Sequence, residues 1–215
     1  MSIQIVTLSI GLPQTMVYGE NATMMTGICK EQVQEAYLAV DCFRGDGVHN
    51  TKYHGGPDRA VCVYPHEHYA MWEQELQTKL PPAALGENLT VTNMREDQVH
   101  IGDIYRIGEA LVQVTQGRIP CNTISRRNSR DQFLPRIVET GYTGYFFRVL
   151  EEGMIRSDSP IQLVQRDPHE VTVLFANQVL FHDNKNHAAI DRILAVDALA
   201  EVWRTKLNKL LEPKV

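Results

Sequence analysis

The chain has 215 residues and a mass of 24.4 kDa, for which area scaling gives ~35,000 Å² exposed unfolded and ~10,000 Å² folded, enough burial for a core without disulfide or metal staples. Hydrophobic residues at 43% and charged residues at 22% match ordinary globular domains and exclude disordered, collagenous and membrane-embedded classes. With 21 Lys+Arg against 26 Asp+Glu, net charge -5, there is no global basic field, so duplex nucleic acid and anionic membrane are not expected partners.

The amino-terminal MSIQIVTLSIGLPQ has no basic region before its apolar run and no small-residue cleavage site, so it reads as a first strand and not as a signal peptide. No stretch approaches the ~18 apolar residues of a membrane span, and the protein is expected to be cytoplasmic. From Ile3 to Arg166 the runs IQIVTLSI, RAVCVY, HIGDIYRI, ALVQVTQ, YFFRVL and IQLVQ, separated by Gly, Pro, Asn and Asp, predict short strands of a barrel or sandwich. Two helices interrupt them. Pro65 is placed at the first helical position of one, HEHYAMWEQEL, with Tyr69, Trp72 and Leu76 on one face. The other runs through Phe133 and Ile137 and ends at Gly141.

After Asp167-Pro168 the spacing turns helical. Periodic runs from Val171 to Leu180 and from His187 to Val196 precede a last helix that places Leu199, Val202, Trp203, Leu207, Leu210 and Leu211 on one face. The expected fold is therefore mainly β: a barrel over residues 1–167 with a few helices, then a small three-helix domain over residues 168–215, docked on the barrel. The tail is expected to shape access to the site and not to carry chemistry, and its His182 and His187 read as surface residues.

Two stretches carry candidate chemistry. In KYHGGPDRAV, Gly55-Gly56-Pro57 forces a turn whose backbone can approach a ligand closely, and Lys52, His54 and Arg59 put cations around it. That combination suits a phosphate; a hairpin turn with solvated charges is the alternative. In TQGRIPCNTI, Pro120 breaks a strand and presents Cys121 on a connection, with Arg118 near enough to favour thiolate. Cys29, Cys42 and Cys62 read as small buried hydrophobes, and no spacing among the four cysteines suits zinc or an iron–sulfur cluster. Glu87 and Asn88 lie on a turn entering a strand, and Asp103 lies in a Gly-Asp turn. His66 and His68 do not share a helical face and are discounted as metal ligands. A cysteine hydrolase built from Cys121, His54 and Asp58 is a further reading.

KYHGGPDRAV, GENLTV, the Gly-Asp turn and R-x-P-C at Arg118 to Cys121 together resemble the MOSC domain, a β-barrel module related to the carboxy-terminal domain of molybdenum-cofactor sulfurase. TGYFFRVLEEG and the tail ending DALAEVWRTKLNKLL are similar to its two-domain YiiM-type subfamily. Two positions depart: Gly117 stands where proline is expected, which should loosen the Cys121 loop, and Ser157-Asp158 replaces a Gly-Asp turn.

The resemblance implies a molybdenum cofactor of molybdopterin type, with Cys121 as the metal ligand and Cys121 and Arg118 as catalytic residues. Lys52, His54, Gly55, Gly56, Arg59, Glu87, Asn88 and Arg118 are the implied cofactor contacts. The implied reaction reduces N-hydroxylated small molecules such as 6-N-hydroxylaminopurine to the amine. With no flavin or nicotinamide fingerprint, electrons are expected from a separate donor protein. The protein is expected as monomer or homodimer. A cofactor or persulfide-sulfur carrier is the alternative.

Overall fold

The computed structural model of the chain describes residues 2–52 and 54–212. Tyr53, inside the glycine-turn motif, and the last three residues of the tail lie outside the described residues.

The chain opens with β1 (Gln4–Ile10), then a hairpin of β2 (Gln14–Tyr18) and β3 (Ala22–Thr26), and two short strands, β4 (Glu31–Gln32) and β5 (Glu35–Leu38). A 3-10 turn at Pro57–Arg59 leads into β6 (Val61–Pro65) and α1 (Glu67–Leu76). Strands β7 (Leu89–Thr92), β8 (Ile104–Ile107) and β9 (Ala110–Gly117) precede α2 (Thr123–Asn128) and α3 (Phe133–Thr140). The strands finish with β10 (Tyr145–Glu151), β11 (Gly153–Arg156) and β12 (Ile161–Gln165), and the tail consists of α4 (Val173–Phe181), α5 (His187–Leu194) and α6 (Glu201–Leu211).

Eight strands pair in the order β12-β8-β9-β10-β6-β7-β1-β4 and curl into a half-barrel. Among the described residues only β6 and β7 run parallel, with Val63 opposite Leu89, because α1 provides the crossover that a parallel pair needs. The β-branched alternation places Val63, Val112, Val114 and Phe147 inward, where they form one hydrophobic cluster that continues into Val173, Ile190, Trp203 and Leu207 of the tail. The three-helix segment therefore shares its core with the sheet instead of owning one. A second cluster joins Trp72 and Tyr69 of α1 to Ile124 of α2 and to Phe133 and Ile137 of α3.

The tail is fastened at its start by Asp103. This fully buried carboxylate accepts hydrogen bonds from Arg166 Nη1 at 2.9 Å and from the Asp167 backbone at 3.1 Å. Gly102 is required beside it: at φ +97 its position has no room for a side chain, since a Cβ there would lie 2.2 Å from Asp167 Oδ2.

Gly141, at φ 74, ends α3 as the sequence predicts, and Tyr69, Trp72 and Leu76 are buried on α1. Pro65 is a correction. It closes β6 opposite Val91, and His66 is the N-cap with the helix starting at Glu67, because the His66 N–H is taken by the Val91 carbonyl at 2.7 Å. Val202 also leaves its expected face and is 46% exposed, while Leu199 is buried ahead of α6. The β2–β3 hairpin and α2 had no counterpart in the predicted elements.

Candidate functional site

β9 delivers the reactive limb. Beyond Gly117 the Arg118 N–H donates to Gly144 O at 2.9 Å, so the strand end is tied to the segment entering β10. Pro120 then releases the chain from the sheet, and Cys121 sits just ahead of α2, on a connection as expected. Burial pushes the Cys121 thiol up. Hydrogen bonds from His54 and Thr123 and the Arg118 charge outweigh that and bring it down to about 6. At neutral pH the group is a thiolate, the form that binds soft metals and attacks electrophiles.

His54 belongs to the glycine turn, so the structure brings together the two motifs that the sequence keeps 67 positions apart (121 less 54). Gly55 and Gly56 take φ 73 and φ 91, a region that side-chain-bearing residues rarely adopt, and a Cβ at Gly56 would meet nothing within 4 Å. The turn thus presents bare backbone toward open space. Lys52 is exposed and Arg59 half-buried at its two ends.

Arg118 stands between two thiols. Besides its charge on Cys121, its Nη1 lies 3.7 Å from the Cys62 sulfur. Cys62 is buried and its thiol is raised by that burial, which makes it the inert member of the pair. Cys29 and Cys42 are only partly buried, not the fully buried groups expected, and all four cysteines are free thiols.

Glu87 and Asn88 sit behind the site with almost no surface. Glu87 accepts from Tyr69 Oη at 2.5 Å, from Thr90 Oγ1 at 3.1 Å and from the Leu85 N–H at 3.1 Å. Asn88 accepts from the Cys62 N–H at 3.0 Å and donates to Asp46 Oδ2 at 2.8 Å. Both carboxylate oxygens and the carboxamide are engaged by protein, so these residues shape the strands that carry the site.

Lys30 and Asp46 are site neighbours that sequence reasoning missed. Their side chains, each 6% exposed, form a buried ion pair that joins Asn88 and, through it, the Cys62 strand. The Gly45-Asp46-Gly47 turn was the available signal. Thr123, which stabilises the thiolate, was also missed, although it lies only two positions after Cys121.

The Cys121–His54–Asp58 hydrolase arrangement is not assembled. His54 meets Cys121, but the Asp58 carboxylate turns to Arg148 at 2.8 Å and to the Glu201 N–H at 3.3 Å. Gly117 does not loosen the loop either. It is buried against α4, where a Cβ would lie 1.9 Å from Asn177 Oδ1. The Ser157 turn is held by Gln34, whose carbonyl accepts the Ser157 N–H at 2.8 Å. Among the described residues no cluster of three or more His, Cys, Asp or Glu is arranged to hold a metal ion, so a metal here would need ligands from a cofactor as well as Cys121. No helix among them is long and apolar enough to cross a membrane.

Comparison with known proteins gives the family of the chain. The family model of the MOSC domain matches residues 50–162, the span that holds both limbs. The chain belongs to the MOSC family. The YiiM-like 3-alpha helix domain matches residues 171–212, which gives this MOSC protein the two-part layout of the YiiM type. YflK of Bacillus subtilis (strain 168) is 43% identical over 95% of this chain and 93% of its own length. The crystal structure of YiiM from Geobacillus stearothermophilus superposes with a TM-score of 0.83 at 33% identity, covering 98% of this chain and 100% of that one. A protein of Gibberella moniliformis (strain M3125 / FGSC 7600) named "Reductase" is 36% identical over 61% of this chain and 24% of its own. MOSC domains are associated with binding of the molybdenum cofactor.

Proposed function

We propose that this MOSC protein is a molybdenum-cofactor-dependent reductase that returns N-hydroxylated small molecules, such as 6-N-hydroxylaminopurine, to the amine. The observation that carries the reading is the Cys121 thiolate, held near pKa 6 by a histidine from the adjoining cationic glycine turn. The Gibberella relative named as a reductase supports the reaction class.

The residues present fit a molybdopterin-type group. A thiolate is the soft donor that molybdenum accepts beside a pterin dithiolene, and open space beside Gly56 lets backbone N–H groups meet a terminal phosphate. Cys121 would supply the sulfur ligand, while Lys52, His54, Arg59 and the Gly55-Gly56 backbone would hold the phosphate. When bound, the group supplies the redox chemistry of the overall reaction, R–NHOH plus two electrons and two protons giving R–NH₂ and water.

The chain's own contributions are binding and orientation. Arg118 places a fixed positive charge between Cys121 and Cys62 and favours anionic groups there. His54 and Thr123 keep the sulfur deprotonated at neutral pH. Electrons come from a separate donor protein.

The test is reduction of 6-N-hydroxylaminopurine by protein purified from a host that makes the cofactor, with a chemical reductant replacing the donor. Conversion to adenine that is lost in Cys121→Ser is expected. Metal-free protein carrying a persulfide on Cys121, with no conversion, would point to a sulfur carrier instead.

A further inference from the structure

We propose that Arg126 and Arg127 of α2 form a phosphate subsite beside Cys121, so that the N-hydroxylated substrate is taken as its phosphate monoester, a purine nucleotide, in preference to the free base. The proposal rests on the reductase reading and names the substrate class within it.

The first observation is an unmatched charge. The segment from Gly117 to Ile137 carries Arg118, Arg126, Arg127, Arg130 and Arg136 against Asp131 alone, in a chain whose carboxylates outnumber its lysines and arginines 26 to 21. Elsewhere that excess is used. Arg106 pairs with Glu151 at 2.9 Å, Arg156 with Glu35 at 3.1 Å, and Arg136 with both Glu75 and Glu139. Arg130 donates to the Leu76 and Ser129 carbonyls at 3.2 and 2.9 Å. Arg126 instead lies over the Tyr18 ring, 4.9 Å from its centre, with Nη1 3.9 Å from the Met24 sulfur. Arg127 Nε is buried with no hydrogen-bond partner. Among the described residues neither arginine has a carboxylate within ion-pair distance. A guanidinium pressed against protein with its charge unmatched keeps donors for an anion that takes two at once, as phosphate does.

The second observation is placement. Ile124 and Ser125 are fully buried, and Asn128 donates to the Ala84 carbonyl at 2.9 Å, so these positions fix the inner face of α2. At 3.6 residues per turn, Thr123, Arg126 and Arg127 fall on the outer face. Cys121 is joined to the start of the same helix, its carbonyl accepting the Ile124 N–H at 3.1 Å. Long helical side chains lean back toward the helix start, which turns both arginines toward the Cys121 end. Tyr18 belongs to the β2–β3 hairpin, and the root of that hairpin meets the glycine turn through Gly47 and Val48. The Gly47 N–H donates to Gly11 O at 3.1 Å, and a Cβ on Gly55 would lie 3.0 Å from Val48 Cγ2. One continuous wall thus runs from the glycine turn to α2. With the glycine turn assigned to the cofactor's phosphate, the α2 pair serves a second anion. Both arginines are half-buried, which suits a compact ligand better than the face of a partner protein.

The probe is adenosine monophosphate, the product expected from such a substrate, titrated calorimetrically into cofactor-free full-length protein with adenosine as the reference. Adenosine monophosphate should bind at least ~10-fold more tightly than adenosine. Arg126→Ala and Arg127→Ala should each remove about 10-fold of that affinity, the loss of one charged hydrogen bond, and leave adenosine unaffected. Arg127→Lys, which keeps the charge without the fork, should retain part of it. Arg136→Ala, on a side chain already paired, should change nothing.

Equal affinity for the two probes would overturn the subsite. A loss confined to Arg59→Ala would also overturn it, by putting the phosphate on the glycine turn. Unchanged binding in folded Arg126 and Arg127 variants would do the same and leave their charge to an acidic partner protein. In loaded enzyme, Arg127→Ala should raise KM for the N-hydroxylated nucleotide and not for 6-N-hydroxylaminopurine. The predicted binding in a protein that reduces neither compound would uphold the subsite and count against the reductase reading alone.

Discussion

The two limbs of the site are built differently. The cysteine limb is enclosed, with Arg118 tied to Gly144, Gly117 packed on Asn177, and the Cys121 sulfur bonded from His54 and Thr123. The glycine limb is exposed at His54 and Gly56 and is held mainly from its inner side, at Asp58 and Thr115. A ligand atom meeting the sulfur thus finds a group already placed and charged, whereas an anion meeting the turn finds donors that can still adjust to it. Preorganisation is concentrated where a bond must form, and adaptability where charge must be matched.

Substitutions on either limb should break this contrast in different ways. The largest effect is expected from Cys121→Ser, which should reduce turnover to background with the far-ultraviolet circular dichroism unchanged, while Cys62→Ser leaves the reaction in place. Equal loss in both would remove the distinction between the two thiols.

Gly117→Ala comes next. Its new Cβ meets Asn177 Oδ1 inside a packed region, so destabilisation of about 1–3 kcal/mol is expected in urea unfolding. The double variant Gly117→Ala/Asn177→Ala should recover part of it, because removing the carboxamide opens the space. Strictly additive losses would mean that the two do not press on each other.

On the glycine limb, Arg59→Ala should weaken cofactor retention by ~10-fold, the loss expected for one charged hydrogen bond. Lys52→Ala, altering a more exposed side chain, should do less. Retention after gel filtration, followed by molybdenum content, separates the two.

A smaller effect follows from the thiolate. The folded pKa of Cys121 lies at about 6, below the ~8.5 of an unfolded thiol. Its contribution to stability is therefore complete above the unfolded value and is lost as pH falls toward the folded one. The stability difference between wild type and Cys121→Ser should shrink from pH 9 to pH 6 in parallel denaturation curves, and a difference that grows instead would have the wrong sign. Smallest of all, Val202→Ala on the open face of α6 should change stability by no more than ~0.5 kcal/mol, whereas Trp203→Ala should cost several-fold more.

What the sequence made legible follows the range of the interactions. The strands through Val61, Ala110 and Tyr145, and the α3 stop at Gly141, are written in local alternation and turn chemistry, and they form where predicted. The cysteine on a post-proline connection with an arginine nearby was equally local. Asp58 and Asn177 were not legible, because their partners lie 143 and 36 positions away and nothing in their neighbours names them. The Lys30–Asp46 pair was hidden for the same reason, with each charge looking like an ordinary loop residue until the fold buries both. The six-residue α2 was too short to show a helical period, and the β2–β3 hairpin exposes Val17 and Met25 on strands that carry few buried residues. Pro65 misled because a proline can close a strand as readily as open a helix, and only the Val91 pairing decides between them.

The central claim is that Cys121 is the protein's sulfur ligand to a molybdenum centre. X-ray absorption at the molybdenum edge, on wild type and Cys121→Ser purified from the same cofactor-competent host, addresses it directly. The account predicts molybdenum in the wild type with one more sulfur neighbour than in the variant. The same sulfur count in both proteins, each loaded with molybdenum, would contradict it.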